Sequence, residues 1–177
     1  MRLKARKKSS KLATVPASSV SQRMTLDDYF RMGYVSHVNG DLHSAAQWYA
    51  RSIDMSPSAV GHTYLAKVLC QLGELDAAIA ECRTALKIDP EFGNAWNDLG
   101  AYMLEKRRFK DAAKFLGRAC RSRDYDHREV PHYHLARCYL QRGMLMRATQ
   151  ELREALDINP DFHSAKEFLN RVEAQIH

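Results

Sequence analysis

Residues Ala85 to Gly100 read A-L-K-I-D-P-E-F-G-N-A-W-N-D-L-G. The stretch ends one apolar segment, turns at Pro90, and opens the next with Trp96, Leu99 and Gly100. Outward from it in both directions, the same apolar-turn-apolar pattern recurs with a period of about 34 residues. A period of that length belongs to a stack of similar units, because each unit alone exposes an apolar face that its neighbour must cover.

Four units follow from the register. In residues 26–58, Leu26, Tyr29, Met32 and Gly33 sit at helical spacing, Asn39-Gly40-Asp41 breaks the helix, Ala45, Tyr49 and Ser52 carry a second one, and Pro57 closes it. Residues 59–92 repeat this with His62, Leu65, Ala66, Gly73, Ala78, Cys82, Ala85 and Pro90. Residues 93–128 show Trp96, Leu99, Gly100, Ala112, Leu116 and Ala119, but they lack the closing proline and hold two extra residues between Cys120 and Arg128. Residues 129–162 return to pattern with His132, Leu135, Ala136, Gly143, Ala148, Leu152, Ala155 and Pro160. The segment 163–177 begins like another first helix, with Phe168, Leu169, Val172 and Ile176 apolar, and no second helix follows. A last unit needs such a capping helix, polar on its outer side, and Ser164, Glu167, Asn170, Arg171 and Glu173 supply that side.

Small residues explain the spacing. Gly33, Ala66, Gly100 and Ala136 occupy the eighth position of each unit, and Ala45, Ala78, Ala112 and Ala148 the twentieth. Antiparallel helices reach the close end of their packing range only where such residues meet. The twenty-seventh position (Ser52, Ala85, Ala119, Ala155) is small as well, which suits the approach of the next unit's first helix. The pattern resembles the tetratricopeptide repeat (TPR) family over about residues 26–162. The resemblance implies an all-α fold, a right-handed α-solenoid of antiparallel helix pairs whose concave groove is lined by first helices and holds an extended peptide or a helix of a partner.

In that family the groove-facing positions of the first helices correspond here to Tyr34, His37, Lys67, Asn94, Asn97, Ala101, Tyr133, Arg137 and Gln141. These residues lie off the apolar stripe yet recur on one face. Asn97 and Arg137 suit an extended backbone, and Tyr34 and Tyr133 offer apolar area with a polar tip. The family's chaperone-tail clamp is disfavoured, since its register brings Asp98 to a position where a carboxylate ligand would be repelled. Arg107, Lys110, Lys114, Arg118 and Arg121 follow one another at three- or four-residue steps and are expected to line one face of a second helix on the outer surface. Such a stripe suits a solvated face, the acidic part of a second molecule, or phosphates, although few aromatics are interleaved for base stacking.

No nucleotide-binding, hydrolase or zinc-protease motif occurs, so the chain reads as a non-enzyme without cofactor. His132, His134 and Cys138 are close in sequence, but the two histidines point to opposite sides of a helix, so no metal site is expected. Four cysteines without C-x-x-C spacing read as free thiols in a reducing compartment, and with no secretory leader or apolar run of membrane length the expectation is cytoplasmic.

Charge divides the chain. Residues 1–24 carry seven basic groups and no acid and read as a disordered basic arm, either solubilising or able to meet nucleic acid, anionic lipid or an acidic protein. Residues 25–105 hold 5 basic against 11 acidic groups, and residues 106–147 hold 12 against 4. The expected function is a scaffold, adaptor or chaperone-like module for another protein, with self-association through opposite charges as a further option. The alternative is nucleic-acid or anionic-surface binding through the arm and the stripe.

Overall fold

The computed structural model describes residues 24–123 and 125–175; the basic arm up to residue 23, Asp124, Ile176 and His177 lie outside the described residues. Among the described residues there are nine α-helices and no strand: α1 (Leu26–Val38), α2 (Leu42–Met55), α3 (Ala59–Gln71), α4 (Leu75–Ile88), α5 (Gly93–Glu105), α6 (Phe109–Arg121), α7 (Glu129–Gln141), α8 (Leu145–Ile158) and α9 (His163–Glu173). Each helix packs on the next in the chain, and α5 also meets α3 and α7. The fold is an all-α solenoid of antiparallel helix pairs.

Local chemistry sets the helix ends. Thr25 and Asp28 form a capping box, in which Asp28 N–H donates to Thr25 Oγ1 at 3.2 Å and Thr25 N–H donates to Asp28 Oδ2 at 3.0 Å. Asp41 and Ser58 cap α2 and α3 through Ser44 N–H and Gly61 N–H. Pro57, Pro90 and Pro160 each stand two residues beyond a helix end, where a missing N–H costs nothing.

The crossings are closed as their small residues require. Ala45, Ala66, Ala78, Ala112, Ala136 and Ala148 are completely buried, as are Tyr49, Cys82, Leu116 and Leu152 opposite them. A methyl group added at Gly100 would stand 2.5 Å from Leu116 Cγ, and one at Gly33 2.7 Å from the Tyr49 ring. Helix contact at these sites leaves no room for a β-carbon.

Two local features depart from the periodic reading. Met32, read as part of the apolar stripe, is exposed in α1, together with Val35. Val68, Tyr102 and Cys138 occupy the register position of Val35 in later units, and all three are buried against the preceding unit. Among the described residues no unit precedes α1. The second feature is the insertion after α6. Tyr125 folds under the start of α5 and is buried, so close that a β-carbon on Gly93 would lie 2.5 Å from Tyr125 Cβ. Buried Ser122 donates its hydroxyl proton to the Glu91 carbonyl and ties the same loop down.

Candidate functional site

Neighbouring first helices are linked across their inner positions. His37 Nε2 lies 3.1 Å from Gln71 Oε1, joining α1 to α3. Lys67 Nζ approaches Asp98 Oδ2 at 3.7 Å and stands 5.3 Å above the Tyr64 ring. Burial pushes the Asp98 carboxyl up from the usual carboxylate range, and the Lys67 charge partly offsets this. Tyr34 is exposed, edge-on to Tyr64 at 6.4 Å. These contacts make the N-terminal half of the row aromatic and internally neutralised.

Asn94 and Ala101 are half-buried on α5. Asn97 is not an open groove residue: it is 6% exposed and its Nδ2 donates to Asp98 Oδ1 at 3.2 Å. Side chains of α3 and α7 press on this central helix from both sides. Asn97 is therefore covered at its position on the central helix, whereas Tyr34, at another register position in an end unit, stays open.

The C-terminal half differs. Tyr133 on α7 packs its ring 5.3 Å from Phe162 and 5.7 Å edge-on from Phe168 of α9, which fixes it as a wall. Arg137 and Gln141, one and two turns further along α7, are exposed beside it. With Arg107, Phe168 and Arg171 they border a cleft of about 490 Å³. His134 on the same helix is held neutral, its pKa lowered to about 4 by burial and then by the Arg137 charge.

Arg107 is a correction to the basic stripe. It precedes α6, lies in the turn after α5, and has φ +57°. Lys110, Lys114, Arg118 and Arg121 do belong to α6 and are exposed. The stripe also has an aromatic platform that spacing alone did not disclose, since Arg118 lies 4.9 Å over Trp96, whose ring stacks on Phe115 at 5.8 Å.

A histidine–glutamate pair recurs on the other side of the helices. His62 Nδ1 is 2.6 Å from Glu81 Oε2, and His132 Nδ1 is 2.7 Å from Glu151 Oε2. The equal spacing identifies a tie between the two helices of a unit. The neighbouring Cys120, followed by Glu151, raises the His132 pKa to about 10 against the opposing effect of burial. The folded pKa lies above the unfolded one, so the stabilisation is fully present below about pH 6.5 and is lost as pH rises through about 10. His132→Gln is therefore expected to lose more stability relative to wild type at pH 6 than at pH 10.5. Urea titrations at both pH values check this, and a deficit independent of pH would refute it.

The cysteines form no disulfide; Cys82 and Cys138 are buried, Cys70 and Cys120 half-buried. Among the described residues no trio of His, Cys, Asp or Glu is arranged to hold a metal ion, and no helix is long and apolar enough to cross a membrane.

Comparison with known proteins agrees with this architecture. A family model for the TPR repeat matches residues 66–106, and a tetratricopeptide repeat model matches residues 131–162. Over 75 residues the chain is 33% identical to the small glutamine-rich tetratricopeptide repeat-containing protein 2 of Mycosarcoma maydis, covering 42% of this chain and 21% of that protein. The match thus spans about a fifth of that relative's length. The solved structure of Pseudomonas aeruginosa PilF superposes with a TM-score of 0.80 at 23% identity, covering 85% of this chain and 68% of that one. YrrB, described as a TPR protein with an unusual peptide-binding site, superposes with a TM-score of 0.67 at 18% identity over 81% of this chain and 73% of its own. At these identities the structures speak for the fold alone. Register, helix pairing and both family models converge, and the chain belongs to the tetratricopeptide repeat family.

Proposed function

We propose that this chain is a non-catalytic interaction module that holds a peptide or helix segment of another protein along the inner row of its first helices. The observation that carries this reading is the row itself. Tyr34, Lys67, Ala101 and Arg137 share one register position on α1, α3, α5 and α7, in turn aromatic, cationic, small and cationic, and the row ends at the cleft beside Tyr133. A small residue mid-row leaves space for a chain to pass, while aromatic and arginine side chains at both ends are the types that dominate binding energy elsewhere.

The test is to fill the middle. Ala101→Arg is expected to weaken capture of a partner by at least about tenfold, whereas Lys110→Ala with Lys114→Ala on α6 leaves it intact. Equal capture by both variants would remove the groove from the account.

A second reading has its own observation, the Trp96–Phe115–Arg118 stack beside exposed Lys110, Lys114 and Arg121. That combination suits single-stranded nucleic acid, and loss of oligonucleotide binding between low and moderate salt in the α6 variant alone would favour it.

A further inference from the structure

The turns between the two helices of each unit are built alike. At the fifteenth position the N–H donates to the carbonyl three residues back, and the next N–H donates to the one five back, in Gly40–Asp41, Gly73–Glu74, Arg107–Arg108 and Gly143–Met144. Three of these positions are glycine with φ between +70° and +84°, and the third unit has Arg107. Among the described residues Arg107 is the one non-glycine residue with positive φ. A β-carbon meets no atom within 4 Å at Gly40, Gly73 or Gly143, so glycine serves there for its backbone freedom and not for lack of space. An arginine at this position accepts a costly backbone conformation in a turn that glycine would satisfy.

The Arg107 side chain reaches the cleft described above, where it meets Arg137 from α7 and Arg171 from α9. The remaining surface there includes Leu104, Tyr133 and Phe168, and no carboxylate borders the cleft. Among the described residues none of the three arginines is in an ion pair. Asp111 is engaged with Arg108 at 2.6 Å and Glu173 with Arg153 at 2.8 Å, while Glu167, one turn before Arg171 on α9, does not border the cleft. Three guanidinium groups from separate elements therefore border one hollow, with apolar side chains among its walls and no carboxylate in its lining. Mutual repulsion makes such a cluster unfavourable unless an anion completes it.

We infer that this cleft binds a side-chain carboxylate of an acidic segment in a partner protein, with a large apolar residue beside the Asp or Glu seated against Tyr133 and Phe168. The inference rests on the groove reading above and specifies its C-terminal end. A peptide fits the observations better than a nucleic acid, because the arginines converge on one hollow instead of spacing out along a phosphate ladder. Tyr133 and Phe168 also offer apolar surface to a residue beside the charge. Planar guanidinium forks suit a carboxylate through paired hydrogen bonds.

A display library of random twelve-residue peptides, selected on the full chain, tests this. The wild-type chain is expected to enrich Asp or Glu next to Leu, Ile or Phe. Affinity for a synthetic selected peptide should fall about tenfold in Arg171→Ala and again when its acid becomes the amide, with the two losses not additive. Arg107→Gly is expected to weaken the peptide similarly while raising Tm by about 2 °C, a pairing that a merely structural arginine would not produce. Enriched peptides without acid preference, or indifferent to Arg171→Ala, would overturn the carboxylate pocket and leave the groove reading standing. If peptides bind Ala101→Arg as well as wild type, or none is enriched, the groove reading itself falls. Stronger displacement of the peptide by an oligonucleotide than by the acidic peptide itself would overturn the inference, as would an Arg171-dependent dimer in light scattering, which would identify a second copy as the occupant.

Discussion

Leu116→Ala is expected to lower stability by about 3 kcal/mol, and adding Gly100→Ala to it should restore part of that loss. Leu116 is completely buried, and its isobutyl group fills the space that Gly100 leaves open. Truncation empties a space bounded by two helices whose separation is set by their other contacts, so little collapse can follow. Gly100→Ala alone has the opposite balance. Its methyl would lie 2.5 Å from Leu116 Cγ, so Leu116 must shift. Ala136 and Leu152 coexist at the same crossing in the fourth unit, which limits the cost to about 1 kcal/mol after the gain in helix propensity. With Leu116 truncated the side-chain clash is gone, leaving only the approach to the backbone nitrogen of residue 116 at 3.3 Å, and the methyl both fills volume and favours the helix. The sign of the Gly100→Ala effect thus reverses with its partner, giving a coupling of about 2 kcal/mol. Urea denaturation of the four proteins measures it; additive effects would mean that the two residues do not share the crossing.

The other large effect lies in the first unit. Tyr49 is completely buried, its ring 5.4 Å from Phe30 and 5.5 Å from Tyr64. Tyr49→Ala should cost about 4 kcal/mol, by loss of that aromatic cluster and the cavity left against Gly33. Tyr49→Phe should instead stabilise the protein by about 1 kcal/mol. The Tyr49 hydroxyl is buried without a hydrogen-bond partner among the described residues, and burial pushes its pKa far above the ordinary phenolic value. Removing an unpaired polar atom while keeping the ring relieves its desolvation. Thermal melts of both variants decide the matter, and a destabilised Tyr49→Phe would show that the hydroxyl has a partner after all.

The crossings were legible in advance for the same reason that these effects are large. A contact that must repeat in every unit imprints a period, and Gly100, Ala112 and Leu116 declare it in one dimension. Partner choice leaves no such imprint. The inner positions of α3 and α5 could be placed on one face from spacing, but their charges gave no sign that Lys67 and Asp98 would neutralise each other, nor that neighbouring helices would cover Asn97. Tyr125 was invisible because it sits in the insertion, where register is lost. Arg107 was misplaced because regular spacing from 107 to 121 mimics a helical face, although the helix begins only at Phe109. The available signal was comparative: three units carry glycine at the fifteenth position and one does not.

Contact that reaches no farther than the neighbouring unit has a consequence for how occupancy is felt. A chain seated across α5, α7 and α9 would act as a lateral staple, binding together units that otherwise meet only their immediate neighbours. Because solenoid stability is close to a sum of unit and junction terms, such a staple strengthens the junctions it spans and leaves the aromatic end as supple as before. The guest, in that case, decides where along its length the host is stiff.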